Sequence, residues 1–314
     1  MFNELITRLP DNIIIRLQNC MQGPKWHPEG SVYNHMKNIA SILPNDINLQ
    51  IANIFHDLGK LNTTEAIIKK GILKITSYGH EDYADEYIND YKELFDDLNP
   101  DWDLIRYICI NHMDAHNFAN GSITKKSKVD AWTLEKYHSQ VMEFEKADST
   151  IPTSKALPIV ILTLGIPGSG KSTWRNEFIT NNPDFSFICP DDLRKQVTGD
   201  ISNISQDYKV WQIAEYLLKE NILERKNTVF DSTMCSQRTV TQFQKIANDS
   251  IIVYKIFAVD PVTANERIAK DISNNVNRSK VPSDVVYRMF SKFSNIVLNI
   301  KVQAMNNEVL IIKE

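Results

Sequence analysis

The sequence predicts two domains of different class: an all-α domain over residues 1–150 and an α/β domain with a parallel sheet over residues 151–314, the second built around a phosphate-binding loop. Three observations predict this. The chain has 314 residues, roughly two domains at about 100–200 residues each. Apolar residues recur at spacings of three and four in the first half, but gather into short β-branched runs separated by helical stretches in the second. Finally, Gly165-Ile166-Pro167-Gly168-Ser169-Gly170-Lys171-Ser172-Thr173 follows such a run directly and fits G-x-x-x-x-G-K-[ST].

In chain order, helical spacing covers Val32 to Leu43, Ile47 to Leu58, His80 to Leu98, Trp102 to His112 and Ala131 to Ala147, within about six helices in all. The stretch Ser149–Pro158 is small, polar and proline-bearing, as linkers are. Beyond it, strands are expected at Ile159–Leu164, Phe185–Cys189, Thr228–Asp231, Ile251–Phe257 and Val309–Lys313. Helices are expected at 171–180, 206–225, 236–247, 261–273 and 283–297. This βαβα rhythm implies a parallel sheet covered on both faces.

Composition narrows the function. Apolar residues make up 42% and charged residues 24%, which excludes a disordered or fibrous chain. The net charge of −4 has the wrong sign for a bulk polyanion binder, so any nucleic-acid contact is local. The first half holds 15 basic and 22 acidic side chains, a net of −7, and the second 20 and 17, a net of +3. Lys125, Lys126 and Lys128 offer a local basic patch in the acidic half. Cys20, Cys109, Cys189 and Cys235 form no C-x-x-C pair; this argues against a disulfide framework or zinc ribbon and fits a reducing cytoplasm. Met1 to Pro10 carries Glu4 and Arg8 and no apolar run, unlike a signal peptide. No uncharged apolar stretch reaches the roughly 18 residues needed to span a membrane, so a cytoplasmic location is expected. All seven histidines precede residue 140, so a His/Asp site is expected in the first half and an anion site in the second.

In the phosphate loop, Gly165, Gly168 and Gly170 let backbone N–H groups turn toward phosphate oxygens. Pro167, Ser169 and Thr173 complete the loop, Lys171 places a charge on the β/γ-phosphates, and Ser172 offers its hydroxyl to Mg²⁺. The helix that starts there points its positive end at the anion. The cofactor expected is ATP or another NTP with Mg²⁺. The run GIPGSGKSTWRNEFI from Gly165 to Ile179, together with Cys189-Pro190-Asp191-Asp192-Leu193-Arg194, resembles the 5′-hydroxyl polynucleotide kinases of bacteriophage and bacterial RNA repair. The resemblance implies that Asp191 is the general base on the 5′-hydroxyl, with Asp192 as its rival, and that Arg194 binds the acceptor's 3′-phosphate. Both aspartates can also cap the following helix. Asp231 ends a strand beside the loop, where it can serve as a metal carboxylate; the resemblance favours acceptor binding. Asn274–Lys280 resembles the lid of these kinases, with Arg278 as its donor-phosphate arginine and Arg267 as a second. The lid lacks the glycine that follows the arginine in the phage pattern.

In the first half, Phe55-His56-Asp57-Leu58-Gly59-Lys60 places adjacent His and Asp at a helix end, where they can chelate one metal or bridge two. His35, His80, His112 and Asp148 extend the order to H…HD…H…H…D. Over residues 20–150 this resembles the HD superfamily of metal-dependent phosphohydrolases. Trp26-His27-Pro28-Glu29-Gly30, followed by His35, resembles the HD domain attached to certain bacterial tRNA-maturing nucleotidyltransferases. The resemblance implies His35, His56, Asp57 and Asp148 as metal ligands, with His80 and His112 completing a second position. His116 and His138 are expected outside the site, and Lys60 can meet a substrate phosphate. Imidazole and carboxylate donors without thiolate suit Mn²⁺, Ni²⁺, Co²⁺, Fe or Mg²⁺.

The whole chain resembles bacterial bifunctional end-healing proteins with an N-terminal HD phosphoesterase and a C-terminal polynucleotide kinase. This implies 5′-phosphorylation and removal of 3′-phosphate or 2′,3′-cyclic phosphate from RNA or DNA ends, with sealing left to a separate ligase. The alternatives are a small-molecule or nucleoside kinase fused to an HD nucleotide phosphohydrolase, and a kinase with a non-catalytic, RNA-binding HD domain.

Overall fold

The structure, a computed structural model, describes residues 1–123, 132–133, 135–150, 155–274, 276 and 278–313. The chain divides into two compact units: Met1–Thr64 with Ile75–Ala156, and Glu65–Lys74 with Leu157–Glu314. The first unit therefore departs from the expected continuous block 1–150 by one excursion. Lys125, Lys126, Lys128 and residues 151–154 of the expected linker lie outside the described residues.

The first unit is helical: α1 (Phe2–Ile6), α2 (Asp11–Asn19), α3 (Val32–Ile42), α4 (Ile47–Phe55), α5 (Lys60–Thr63), α6 (Ala84–Tyr91), α7 (Trp102–Ala119) and α8 (His138–Asp148). Side-chain caps fix several starts. Ser31 accepts from the Asn34 amide, Asp46 from the Asn48 and Leu49 amides, and Asp101 from the Leu104 amide. Buried Met36, Ile39, Ile51, Phe55, Ile105, Ile108 and Phe144 belong to one core. This core holds α3, α4, α7 and α8 together, and those helices bear most of the histidines and aspartates of interest.

The all-α expectation for residues 1–150 needs one correction. Glu65–Lys69 (β1) and Ile72–Thr76 (β2) form a hairpin. Lys70 and Gly71 both have positive φ, 55° and 78°, as the mirror-image two-residue turn requires. The hairpin joins the sheet of the second unit, where β1 runs parallel to the last strand with Ala66 opposite Ile312 and Ile67 opposite Lys313.

The second unit contains β3 (Ile159–Leu164), α9 (Lys171–Asn181), β4 (Phe185–Ile188), α10 (Pro190–Thr198), α11 (Asp207–Leu223), β5 (Asn227–Phe230), α12 (Gln237–Ile246), β6 (Ile251–Ile256), α13 (Pro261–Ser273), α14 (Ser283–Met305) and β7 (Leu310–Lys313). The strand order is β2-β1-β7-β6-β3-β5-β4, and every pair from β1 to β4 is parallel. The central strand β3 is buried along its whole length, as a parallel strand covered on both faces must be. Chain order reverses at β3, so the carboxyl ends of β3, β5 and β4 open onto the crevice where α/β sheets bind ligands.

Candidate active sites

In the first unit, the end of α4 and the turn after it present His56 and Asp57, α3 presents His35, α7 His112, α8 Asp148, and a 3₁₀ turn His80. His35, His56, Asp57, His80 and His112 are all buried. They form two groups whose ligand atoms lie within 4.8 Å of one another: His35 with His56 and Asp148, and Asp57 with His80 and His112. Asp57 links the groups. Its Oδ2 is 3.3 Å from His56 Nε2 and 3.7 Å from His35 Nε2, and its Oδ1 is 3.2 Å from His80 Nε2.

Ring orientation is set locally. His56, His80 and His112 each place Nδ1 on the carbonyl three residues back, of Asn53, Ser77 and Cys109, at 3.0, 2.9 and 2.8 Å. A carbonyl only accepts, so each Nδ1 carries the hydrogen and each Nε2 turns inward with its lone pair. The His80 and His112 Nε2 atoms face each other at 2.9 Å, and His56 Nε2 is buried without a hydrogen-bond partner among the described residues. Inward lone pairs at this spacing repel unless a proton or cation lies among them. Outer hydrogen bonds of this kind also orient metal-ligating histidines. The donor set therefore fits a divalent metal.

Burial holds the His112 imidazole down to about 3. Burial opposes charge on His35 too, but hydrogen bonds from its two nitrogens to Asp148 and Glu29, both 2.8 Å, raise it to about 9. Asp57 is held well below its usual range: burial raises it, but His56 and Lys60 outweigh that. Lys60 is buried, 2.8 Å from Asp57 Oδ2 and 2.7 Å from Gln22 Oε1, so its charge is engaged at the edge of the cluster. His116 lies outside the cluster against Glu145, and His138 packs on Phe118 and Trp132. Sequence reasoning missed Glu29 as the carboxylate that orients both His27 and His35. Its signal was its place in Trp26-His27-Pro28-Glu29-Gly30.

In the second unit, the phosphate loop joins β3 to α9. Gly168 and Gly170 adopt φ of 81° and 98°, and a Cβ on Gly168 would come 2.5 Å from the Ala264 carbonyl oxygen; both points favour glycine. Lys171 Nζ donates to the Gly165 and Ile166 carbonyls at 2.9 Å each. Burial lowers its pKa, and the Asp231 carboxylate opposes that shift. Ser172 Oγ donates to Asp231 Oδ2 at 2.9 Å. After β4, Pro190 starts α10 and α10 ends at Gly199 in the left-handed region. Asp191 and Arg194 are one turn apart and ion-paired. Asp191 is half exposed, while buried Arg194 also donates from Nε to Asp207 Oδ1 at 2.6 Å. Arg278 donates to Asp271 Oδ2 at 2.6 Å, and Arg267 is exposed. Asp207 and Arg175 are further participants that sequence reasoning missed. No helix among the described residues is long and apolar enough to cross a membrane.

Residues 160–296 match a family described as AAA domain, less than half of the chain. Among solved structures, the chain is similar to a chain of the Pnkp1/Rnl/Hen1 RNA repair complex at 20% identity, covering 47% of each chain with a TM-score of 0.43. A second Pnkp1/Rnl/Hen1 complex matches at 25% identity over 35% of this chain and 39% of that one, TM-score 0.34. Shikimate kinase from Acinetobacter baumannii in complex with shikimate matches at 18% identity over 50% of this chain and 83% of that one, TM-score 0.31. The chain spans less than half the length of the two repair-complex chains it matches.

Proposed function

We propose that this chain heals broken nucleic-acid ends: NTP-dependent phosphorylation of 5′-hydroxyls in the second unit and metal-dependent removal of 3′-phosphate or 2′,3′-cyclic phosphate in the first. The observation that carries the reading is the presence, in one chain, of a phosphate loop with an exposed Asp191 paired to a buried Arg194 and of a buried cluster of inward-facing imidazoles around Asp57.

In the kinase, Lys171 leaves the Gly165 and Ile166 carbonyls for the donor's β/γ-phosphates, where its charge stabilises the transferring phosphoryl group. Asp191, half exposed on α10, orients the acceptor hydroxyl and takes its proton. Arg194, fixed by Asp207, meets the acceptor's 3′-phosphate, and Arg278 reaches the donor. The Ser172–Asp231 bond supports the metal-side role for Asp231 over the acceptor role.

In the phosphoesterase, His35, His56, Asp57, His80, His112 and Asp148 would hold one or two divalent metals. When bound, such metal polarises the phosphoryl oxygens and activates water. The Nδ1 hydrogen bonds of His56, His80 and His112 aim their Nε2 atoms inward, Glu29 holds His35, and Lys60 offsets part of the charge of Asp57. The products, 5′-phosphate and 3′-hydroxyl, are what a separate ligase requires. The test is phosphate release from a 3′-phosphate oligonucleotide against free nucleotides, with and without Mn²⁺. Turnover of the oligonucleotide is expected; turnover of free nucleotides alone would favour a nucleotide phosphohydrolase, and turnover of neither a non-catalytic domain.

A further inference from the structure

The helix after the phosphate loop buries two cations on one stripe: Lys171, Arg175 and Phe178 are the buried residues of α9. Lys171 belongs to the loop motif, and Arg175 has no place in it. A guanidinium taken out of water is costly unless it is paired and its donors are used. Arg175 meets both conditions. Its Nη1 donates to Asp231 Oδ2 at 2.9 Å, and its Nε and Nη2 donate to Asn176 Oδ1 at 3.1 and 2.9 Å. Asp192 Oδ2 lies 3.6 Å from Nη1, and the guanidinium carbon stands 4.3 Å from the centre of the Phe187 ring. The side chain is held on every side by a fork that lysine cannot reproduce.

Asp231 Oδ2 receives two donors, the Arg175 guanidinium and the Ser172 hydroxyl, each at 2.9 Å. With its hydrogen committed to Asp231, the Ser172 oxygen keeps its lone pairs for another partner. The geometry points to Arg175 as a positioning residue for the divalent cation that accompanies the nucleotide. By fixing Asp231, it fixes the direction of the Ser172 hydroxyl and prepares that oxygen for Mg²⁺ before the nucleotide arrives. The inference rests on the nucleotide-binding reading of the loop, but not on the identity of the acceptor.

The test is calorimetric titration of full-length protein with ATP at a series of Mg²⁺ concentrations and without Mg²⁺. Wild type is compared with Arg175→Ala, Arg175→Lys, Arg175→Gln and Asp231→Asn, each checked for folding by circular dichroism. Metal-free ATP affinity should stay within about threefold across the Arg175 variants, as expected for a site they do not touch directly. The Mg²⁺ needed for half-maximal enhancement should rise about tenfold, the scale of one lost charge-assisted hydrogen bond. Arg175→Lys should not restore it, and Arg175→Ala combined with Asp231→Asn should be no worse than Asp231→Asn alone. Should Arg175→Ala not fold, Arg175→Gln and Arg175→Lys carry the same comparison. A folded Arg175 variant whose Mg²⁺ dependence is within twofold of wild type overturns the inference. A wild type that takes no ATP at any Mg²⁺ overturns the nucleotide reading and the inference with it. A wild type that binds Mg²⁺-ATP yet phosphorylates no 5′-hydroxyl overturns the acceptor reading alone.

Discussion

Asp191 and Lys171 are expected to fail in different ways when removed. Lys171→Ala should weaken nucleotide binding and abolish labelling of a 5′-hydroxyl oligonucleotide, because the charge it carries acts on the donor phosphates. Asp191→Ala should leave nucleotide affinity nearly unchanged while lowering the rate by about 10²-fold or more, the usual contribution of a general base; retention of more than about a tenth of the rate would move the base elsewhere, with Asp192 the first alternative. A second residue-scale prediction concerns the chelator-treated protein. His35, raised to about 9 in the fold against about 6.5 unfolded, contributes stability that is complete below pH 6.5 and lost as pH rises through 9. His112, held down to about 3, contributes stability that is complete above pH 6.5 and lost as pH falls toward 3. The melting temperature of metal-free protein should therefore peak near pH 6.5, and Glu29→Gln should flatten the alkaline limb; an unchanged limb contradicts the assignment. His56-Asp57 and the phosphate loop were legible because each is a contiguous run. Glu29, Asp207 and Arg175 were not, because their roles depend on partners distant in sequence or on burial. Arg175 left one trace, a charged residue four positions after Lys171 on the buried stripe of α9.

At the scale of elements, the turn after α4 is as constrained as the His56 and Asp57 side chains beside it. A Cβ on Gly59 would lie 2.0 Å from the His80 carbonyl oxygen and 3.0 Å from the Tyr83 Cβ. Gly59→Ala must therefore displace the 3₁₀ turn that aims His80. Metal content by elemental analysis should fall, and stability of the helical unit should drop by about 1–3 kcal/mol from overpacking. Metal content equal to wild type would mean that the turn does not set His80. The expected helices over 32–43, 47–58 and 261–273 correspond closely to α3, α4 and α13, since their apolar periodicity is strong and residues such as Ser31, Asp46 and Asp260 cap them. The hairpin β1–β2 escaped because its Lys70-Gly71 turn is short, and the strand that pairs with it, β7, lies more than 200 residues away. No local signal reports such a partner.

For the whole molecule, that hairpin makes the second unit discontinuous in sequence. Its tip is clamped by Asn182, the residue that caps α9, whose Nδ2 donates to the Gly71 carbonyl at 2.8 Å and whose Oδ1 accepts from the Leu73 amide at 3.1 Å. A fragment of residues 157–314 lacks β1 and leaves the β7 edge open, so it should aggregate or melt at lower temperature than the intact chain in the presence of Mg²⁺-ATP; equal stability would show that the hairpin is dispensable. The division into a helical and an α/β unit was legible from periodicity and from the loop motif. The exchange of residues 65–74 between them was not, because it is a property of sheet pairing. The central claim, two separable phosphoryl chemistries in one chain, is tested most directly on one oligonucleotide bearing both a 5′-hydroxyl and a 3′-phosphate, given Mg²⁺-ATP and Mn²⁺. Wild type should phosphorylate the 5′ end and clear the 3′ end, His56→Ala should do only the first, Lys171→Ala only the second, and the two variants mixed should restore both. Metal-loaded wild type that releases no phosphate from the 3′ end, or a folded His56→Ala that has also lost the kinase, would contradict it.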